Sequence, residues 1–149
     1  MRTGAEICGR LGGIPLAIEL AAARVPALGL ESLNARLKEH MVLAGGRDLP
    51  ERQRTTLATV TWSYRLLNTD EQTLLRRLAI FRSGATLETA EAVCASGALK
   101  AEHVPELLAR LVDKSLLEVQ GSTKAPRYSM LDSARIARLA TQLTLNQRP

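Results

Sequence analysis

Five basic side chains in the second half of the sequence, Arg110, Lys124, Arg127, Arg135 and Arg138, offer the plainest chemistry: positive charge for phosphate oxygens. Base readout asks for more. Arg, Lys, Asn or Gln must project from the exposed face of a helix into the major groove. The outward positions of the candidate recognition helix, His103, Glu106, Arg110 and Asp113, hold two acids and one strong donor. That composition disfavours direct base readout, and non-specific phosphate contact through Arg127, Arg135, Arg138 and Lys124 is the simpler chemistry.

Side chains that could catalyse are not arranged to do so. His40 and His103 stand alone in the sequence and read as solvated or helix-end residues. Ser63, Ser115 and Ser133 lack a nucleophile-elbow context. Glu19, Glu88, Glu91 and Glu118 form no recognisable acid/base pair. A phosphate-cradling loop would need the pattern G-x-x-x-x-G-K-[ST], and no Gly-Lys pair occurs in the chain. No apolar strand ends in paired acids to manage magnesium either. The chain is therefore expected not to be an enzyme. Cys8 and Cys94 are far apart and without a C-x-x-C partner, so buried free thiols are expected rather than a metal or redox centre.

The elements that must position the basic residues are legible from Val104 to Asp132. Val104, Leu107, Leu108, Leu111 and Val112 recur at i, i+3, i+4 and i+7 and form one apolar stripe of a helix. Short apolar runs at 115–120 and 127–131, separated by Gly121 to Pro126, read as a β-hairpin with a longer loop. A helix followed at once by a hairpin is a winged-helix signature. Upstream, Thr69 and Gln72 stand at capping-box spacing ahead of Leu74, Leu75, Leu78 and Phe81, predicting a helix over 69–81. Residues 86–95 supply a second, and Asp132 caps a last one over 132–144 with Arg135 and Arg138 outside.

The first part of the chain is helical as well. A helix near 5–11 halts at Gly12 and Gly13; Pro15 starts another that runs to Pro26; Leu30, Leu33 and Leu37 mark a third. The turn-rich, charged tract 45–52 reads as a linker, which places a boundary near residue 50. A further helix over 55–67 carries Trp62 as a core or interlobe anchor. The expected fold is mainly α: a small helical subdomain at 1–50, then a winged helix-turn-helix domain at 51–149. With 149 residues, 46% apolar and only 3% aromatic, the core is to be built from Leu, Ala, Val and Ile. The net charge of +5 admits an acidic partner without requiring one. There is no leader-like start and no apolar run of about 18 residues, so a cytoplasmic protein without a membrane partner is expected.

The blocks ICGRLGGIPLAIELAAARV, RTTLATVTWSYRLLNTDEQTLLRRLAIF, LLARLVDKSLL and RYSMLDSARIARLA, in that order, resemble the C-terminal half of the nucleotide-binding module of STAND ATPases. These are the NB-ARC-like signalling ATPases of large bacterial transcriptional regulators, apoptotic ATPases and plant resistance proteins. Gly13 to Ala17 look like that family's GLPLA block, and the resemblance implies that Pro15 packs on the adenine of bound nucleotide. Met130, Leu131 and Asp132 fall where the family has its MHD motif, whose histidine senses the phosphate of ADP; here that place is held by Leu131, which cannot donate a hydrogen bond.

The resemblance thus implies a regulatory module that meets ADP or ATP only beside a P-loop ATPase domain, and binds no cofactor alone. Two other functions fit the sequence. One is a winged helix that binds DNA directly; the other is a protein–protein adaptor using the helical first lobe.

Overall fold

The computed structural model describes residues 2–43 and 51–130, with the side chains of 40–43 and 51–57 left aside. By its contacts the chain divides into two compact units, one ending at Leu66 and one beginning at Leu67.

In the first unit, α1 (Arg2–Arg10) ends because the chain turns left-handed at Gly12, φ +64°. The amide of Gly12 donates to the carbonyl of Gly9 and that of Gly13 to Cys8, the paired bonds of a Schellman close. Pro15 then opens α2 (Pro15–Ala22), where its missing N–H costs no helix bond. The sequence predicts one helix from Pro15 to Pro26, but the chain turns at Ala23 and Arg24 and restarts as α3 (Val25–Leu28). The reason is Pro26, which has no N–H for the carbonyl of Ala22 and is instead accommodated in the first turn of a new helix.

Two further helices, α4 (Leu30–Leu43) and α5 (Glu51–Arg65), complete this unit. Ile7, Leu11, Ile14, Ala17, Ala21, Leu33, Leu37 and Trp62 form its core, with Leu66 packed against them. Trp62 is therefore a core anchor of the first unit. Because its helix contributes to this core, the division by contacts falls after Leu66 rather than near residue 50; the tract 44–50 lies outside the described residues. Buried Arg24 secures α5 to the break before α3, donating through Nη2 to the carbonyl oxygen (2.8 Å) and Oγ (3.0 Å) of Ser63. On the outside, Asn34 of α4 accepts from Arg10 Nε at 3.0 Å and donates to Glu6 Oε2 at 2.9 Å, both on α1.

In the second unit, α6 (Thr69–Leu78) is capped by Asn68 and Glu71, not by the expected Thr69 and Gln72. Asn68 Oδ1 accepts from the Glu71 amide at 2.8 Å while Glu71 Oε1 takes the Asn68 amide at 3.5 Å. Asn is a stronger cap than Thr, and the register with Asn68 outside places Leu74, Leu75 and Leu78 inward. α6 stops at Leu78, short of the expected Phe81. A two-residue strand, β1 (Ala85–Thr86), follows, too short to leave an alternating pattern in the sequence. Thr86 then caps α7 (Leu87–Cys94), its Oγ1 accepting from the Thr89 amide at 3.2 Å.

A single 3-10 turn, Ala101–His103, leads into α8 (Val104–Asp113). That helix closes in a Schellman motif of its own. The Ser115 amide donates to Val112 and the Leu116 amide to Leu111, with Ser115 left-handed at φ 58°. Leu116 and Leu117 turn into the core, which shortens the first hairpin strand to β2 (Glu118–Gln120); the second is β3 (Arg127–Ser129). Both are narrower than the 115–120 and 127–131 expected. The three strands pair antiparallel in the order β1-β3-β2, with Val119 and Ala85 both opposite Tyr128. Three helices, a hairpin and the short β1 make the winged helix-turn-helix expected. The proposed helix over 132–144 lies outside the described residues.

Candidate nucleic-acid interface

α8 occupies the place of a recognition helix, and its amphipathic pattern decides what it can present. Val104, Leu107, Leu108 and Leu111 are buried in the second core, whereas Pro105, Glu106, Ala109, Arg110 and Asp113 are exposed. At about 100° per residue, Glu106 and Asp113 point most directly away from the buried stripe, and Arg110 lies round to one side. Arg110 Nη2 donates to Glu106 Oε1 at 2.6 Å, one turn back. Glu102 and His103 precede the helix, exposed, with Nε2 and Oε1 3.8 Å apart. The solvent face of α8 is thus acidic on balance, and its arginine is already engaged.

The hairpin presents the opposite charge. Lys124 is exposed near its tip and Arg127 exposed at the start of β3. Arg127 also leans back on the first strand, Nη2 to the carbonyl of Gly84 at 3.4 Å. Gly84 itself has φ +81°, and a Cβ there would stand 2.7 Å from the carbonyl oxygen of Tyr128. Only glycine lets β1 approach β3 this closely.

Of the five basic residues singled out from the sequence, Arg110, Lys124 and Arg127 are on the solvent side of α8 and the hairpin, while Arg135 and Arg138 lie outside the described residues. A further basic residue, Lys114, is not marked by the sequence pattern of α8. Its Nζ lies 2.5 Å from Oε2 of Glu71, a carboxylate only 3% exposed. The signal was present in the spacing Asn68-x-x-Glu71, which marks Glu71 as a first-turn acid with a second oxygen to spare. Between Leu67 and Met130 the sequence holds eight Lys or Arg and eight Asp or Glu. The chain's positive excess therefore resides elsewhere in the sequence.

The residues tied to the nucleotide reading are only partly described. Pro15 is exposed at the first position of α2; Leu131 lies outside the described residues. Cys8 is exposed on α1, contrary to the expectation of a buried thiol, standing about 100° round the helix from buried Ile7. Cys94 is buried as expected. Burial pushes its thiol pKa above the ordinary 9.0, with the nearby Arg77 guanidinium acting in the other direction. Arg77 Nη1 donates to the carbonyls of Cys94 (2.5 Å) and Ser96 (3.2 Å), closing the C-terminus of α7. Among the described residues no group of three His, Cys, Asp or Glu could hold a metal ion, and no helix is long and apolar enough to cross a membrane.

Residues 67–138 match a family described as a winged helix-turn-helix domain. Over 132 residues the chain is 44% identical to proteins of Mycobacterium bovis and Mycobacterium tuberculosis that are provisionally named HTH-type transcriptional regulators. The matched part is 87% of this chain and 15% of each regulator. A Mycobacterium tuberculosis protein of uncharacterised function is 41% identical over 138 residues, 89% of this chain and 35% of its own length. The chain thus spans a small part of the relatives it matches.

Proposed function

We propose that the chain is a non-catalytic winged-helix portion of a cytoplasmic transcriptional regulator, and that its winged helix contacts duplex DNA chiefly through phosphates. The observation that carries this is the exposed Lys124 and Arg127 on the hairpin that follows α8. Phosphate attraction needs only accessible positive charge, which the hairpin supplies and α8 does not. The relatives' provisional names support the regulatory setting.

Fluorescence anisotropy of a labelled duplex, titrated with the purified chain at about 50 mM and about 200 mM salt, tests this. Binding is expected to weaken with salt, and K124A and R127A each to reduce affinity and flatten the salt slope by about 0.9. Salt-insensitive binding, or no change in either variant, would refute it.

A second reading is favoured by the acids Glu106 and Asp113 on the outer face of α8. In it the module is a regulatory part of a STAND-type protein that meets ADP only beside a nucleotide-binding domain. The exposure of Pro15 at the start of α2 supports that role for the first unit. Calorimetry with ADP, on the chain alone and with a P-loop domain added, separates the two: ADP uptake only in the mixture favours the second reading.

A further inference from the structure

We infer that Glu106 is a specificity-limiting residue of the winged helix: it engages Arg110, the strong base-reading donor on α8's outer face, and so keeps duplex binding tolerant of sequence. This rests on the DNA-contacting reading above.

Four observations meet here. Arg110 is held to Glu106 at 2.6 Å, with both side chains accessible to solvent, 47% and 65% exposed respectively. Arg110 is one turn beyond Glu106, the spacing at which an acid and a base on a helix meet side by side. Asp113 lies on the same outer face, so Glu106 has no basic neighbour there besides Arg110 among the described residues of α8. Among the described residues neither hairpin charge, Lys124 or Arg127, is paired with a carboxylate, and Arg127 leans on the carbonyl of Gly84.

A guanidinium that reads guanine offers a two-pronged edge to O6 and N7, and Glu106 competes for the Nη2 donors that either edge uses. An approaching phosphate meets Glu106 and Asp113 before it meets Arg110, and like charge opposes contact. Binding that avoids α8 must rely on the hairpin, whose phosphate contacts carry no base information.

The test uses two duplexes of equal length, one rich in G·C and one in A·T, titrated at about 50 mM and about 200 mM salt. Wild type is expected to bind both within about twofold, and R110A to change neither by more than about twofold, the scale of an exposed ion pair. E106Q is expected to bind about threefold to tenfold more tightly and to prefer the G·C duplex, the preference coming from Arg110 on guanine. E106Q/R110A should lose that preference. Circular dichroism melting confirms that the exposed substitutions leave the fold intact.

The inference is overturned if E106Q binds as wild type does, or if R110A alone weakens binding about tenfold, since Arg110 would then already be reading DNA. Binding by E106Q where wild type is silent would overturn it as well, since the native chain would then have no duplex binding for Glu106 to keep tolerant. Silence of both proteins would remove the DNA reading and this inference together.

Discussion

Lys114, at the C-cap of α8, is joined to Glu71, in the first turn of α6, across 2.5 Å. The same carboxylate closes the capping box on Asn68 with its other oxygen. One side chain therefore holds the start of the first helix of the winged helix and the end of the third, where the hairpin begins.

The two partners should respond unequally to substitution. Lys114→Met strands a carboxylate that is 3% exposed, and is expected to destabilise the domain by about 2–3 kcal/mol. Glu71→Gln leaves a lysine that is 24% exposed and can turn to water, while its amide oxygen still accepts from Asn68, so about 1 kcal/mol is expected. Urea denaturation of both variants checks the order.

Ser115 occupies the left-handed position of a Schellman motif, usually glycine's. Ser115→Gly should relieve backbone strain and stabilise by about 0.5–1 kcal/mol. Gly84→Ala should act the other way, by about 2 kcal/mol or more, because its methyl would press on the Tyr128 carbonyl at 2.7 Å. Thermal melts of the two single variants give the signs.

Labelling with a thiol reagent should modify Cys8 rapidly and Cys94 only on unfolding, since the thiolate is the reactive form. The raised pKa of Cys94 has a consequence for stability. The unfolded thiol loses its proton near pH 9.0 while the native one keeps it. Its contribution is fully present below that pH and is lost as pH rises through the higher native value. Cys94→Ala should flatten the decline of stability measured above pH 9.0.

Trp62 is the single tryptophan and is 5% exposed in the first core. Trp62→Ala is expected to cost about 3–5 kcal/mol. Tryptophan emission of the parent chain, shifting red on unfolding, reports on this unit.

Helices with an unbroken apolar stripe were legible in the sequence. Val104 to Leu111 and Leu74 to Leu78 declare their buried faces by spacing alone, and Pro15 and Gly12 announce a start and a stop. The caps of α6 were less legible, because Asn68 and Thr69 are adjacent good caps and only packing of the leucines selects the register. Cys8 was misjudged for a related reason: it neighbours Ile7 in sequence, but helical geometry turns it away from the core.

By itself, the sequence determined the helical composition, the winged-helix order of elements and the surplus of acids on the outer face of α8, since all three follow from local periodicity. Tertiary structure alone decided that β1 joins the hairpin through Ala85 and Tyr128, that Lys114 is spent on Glu71, and that Trp62 belongs with the first core. Each of these joins residues far apart along the chain, and a pairing of that kind leaves no periodic trace. It exists because a buried carboxylate oxygen or strand edge must find a partner within the fold.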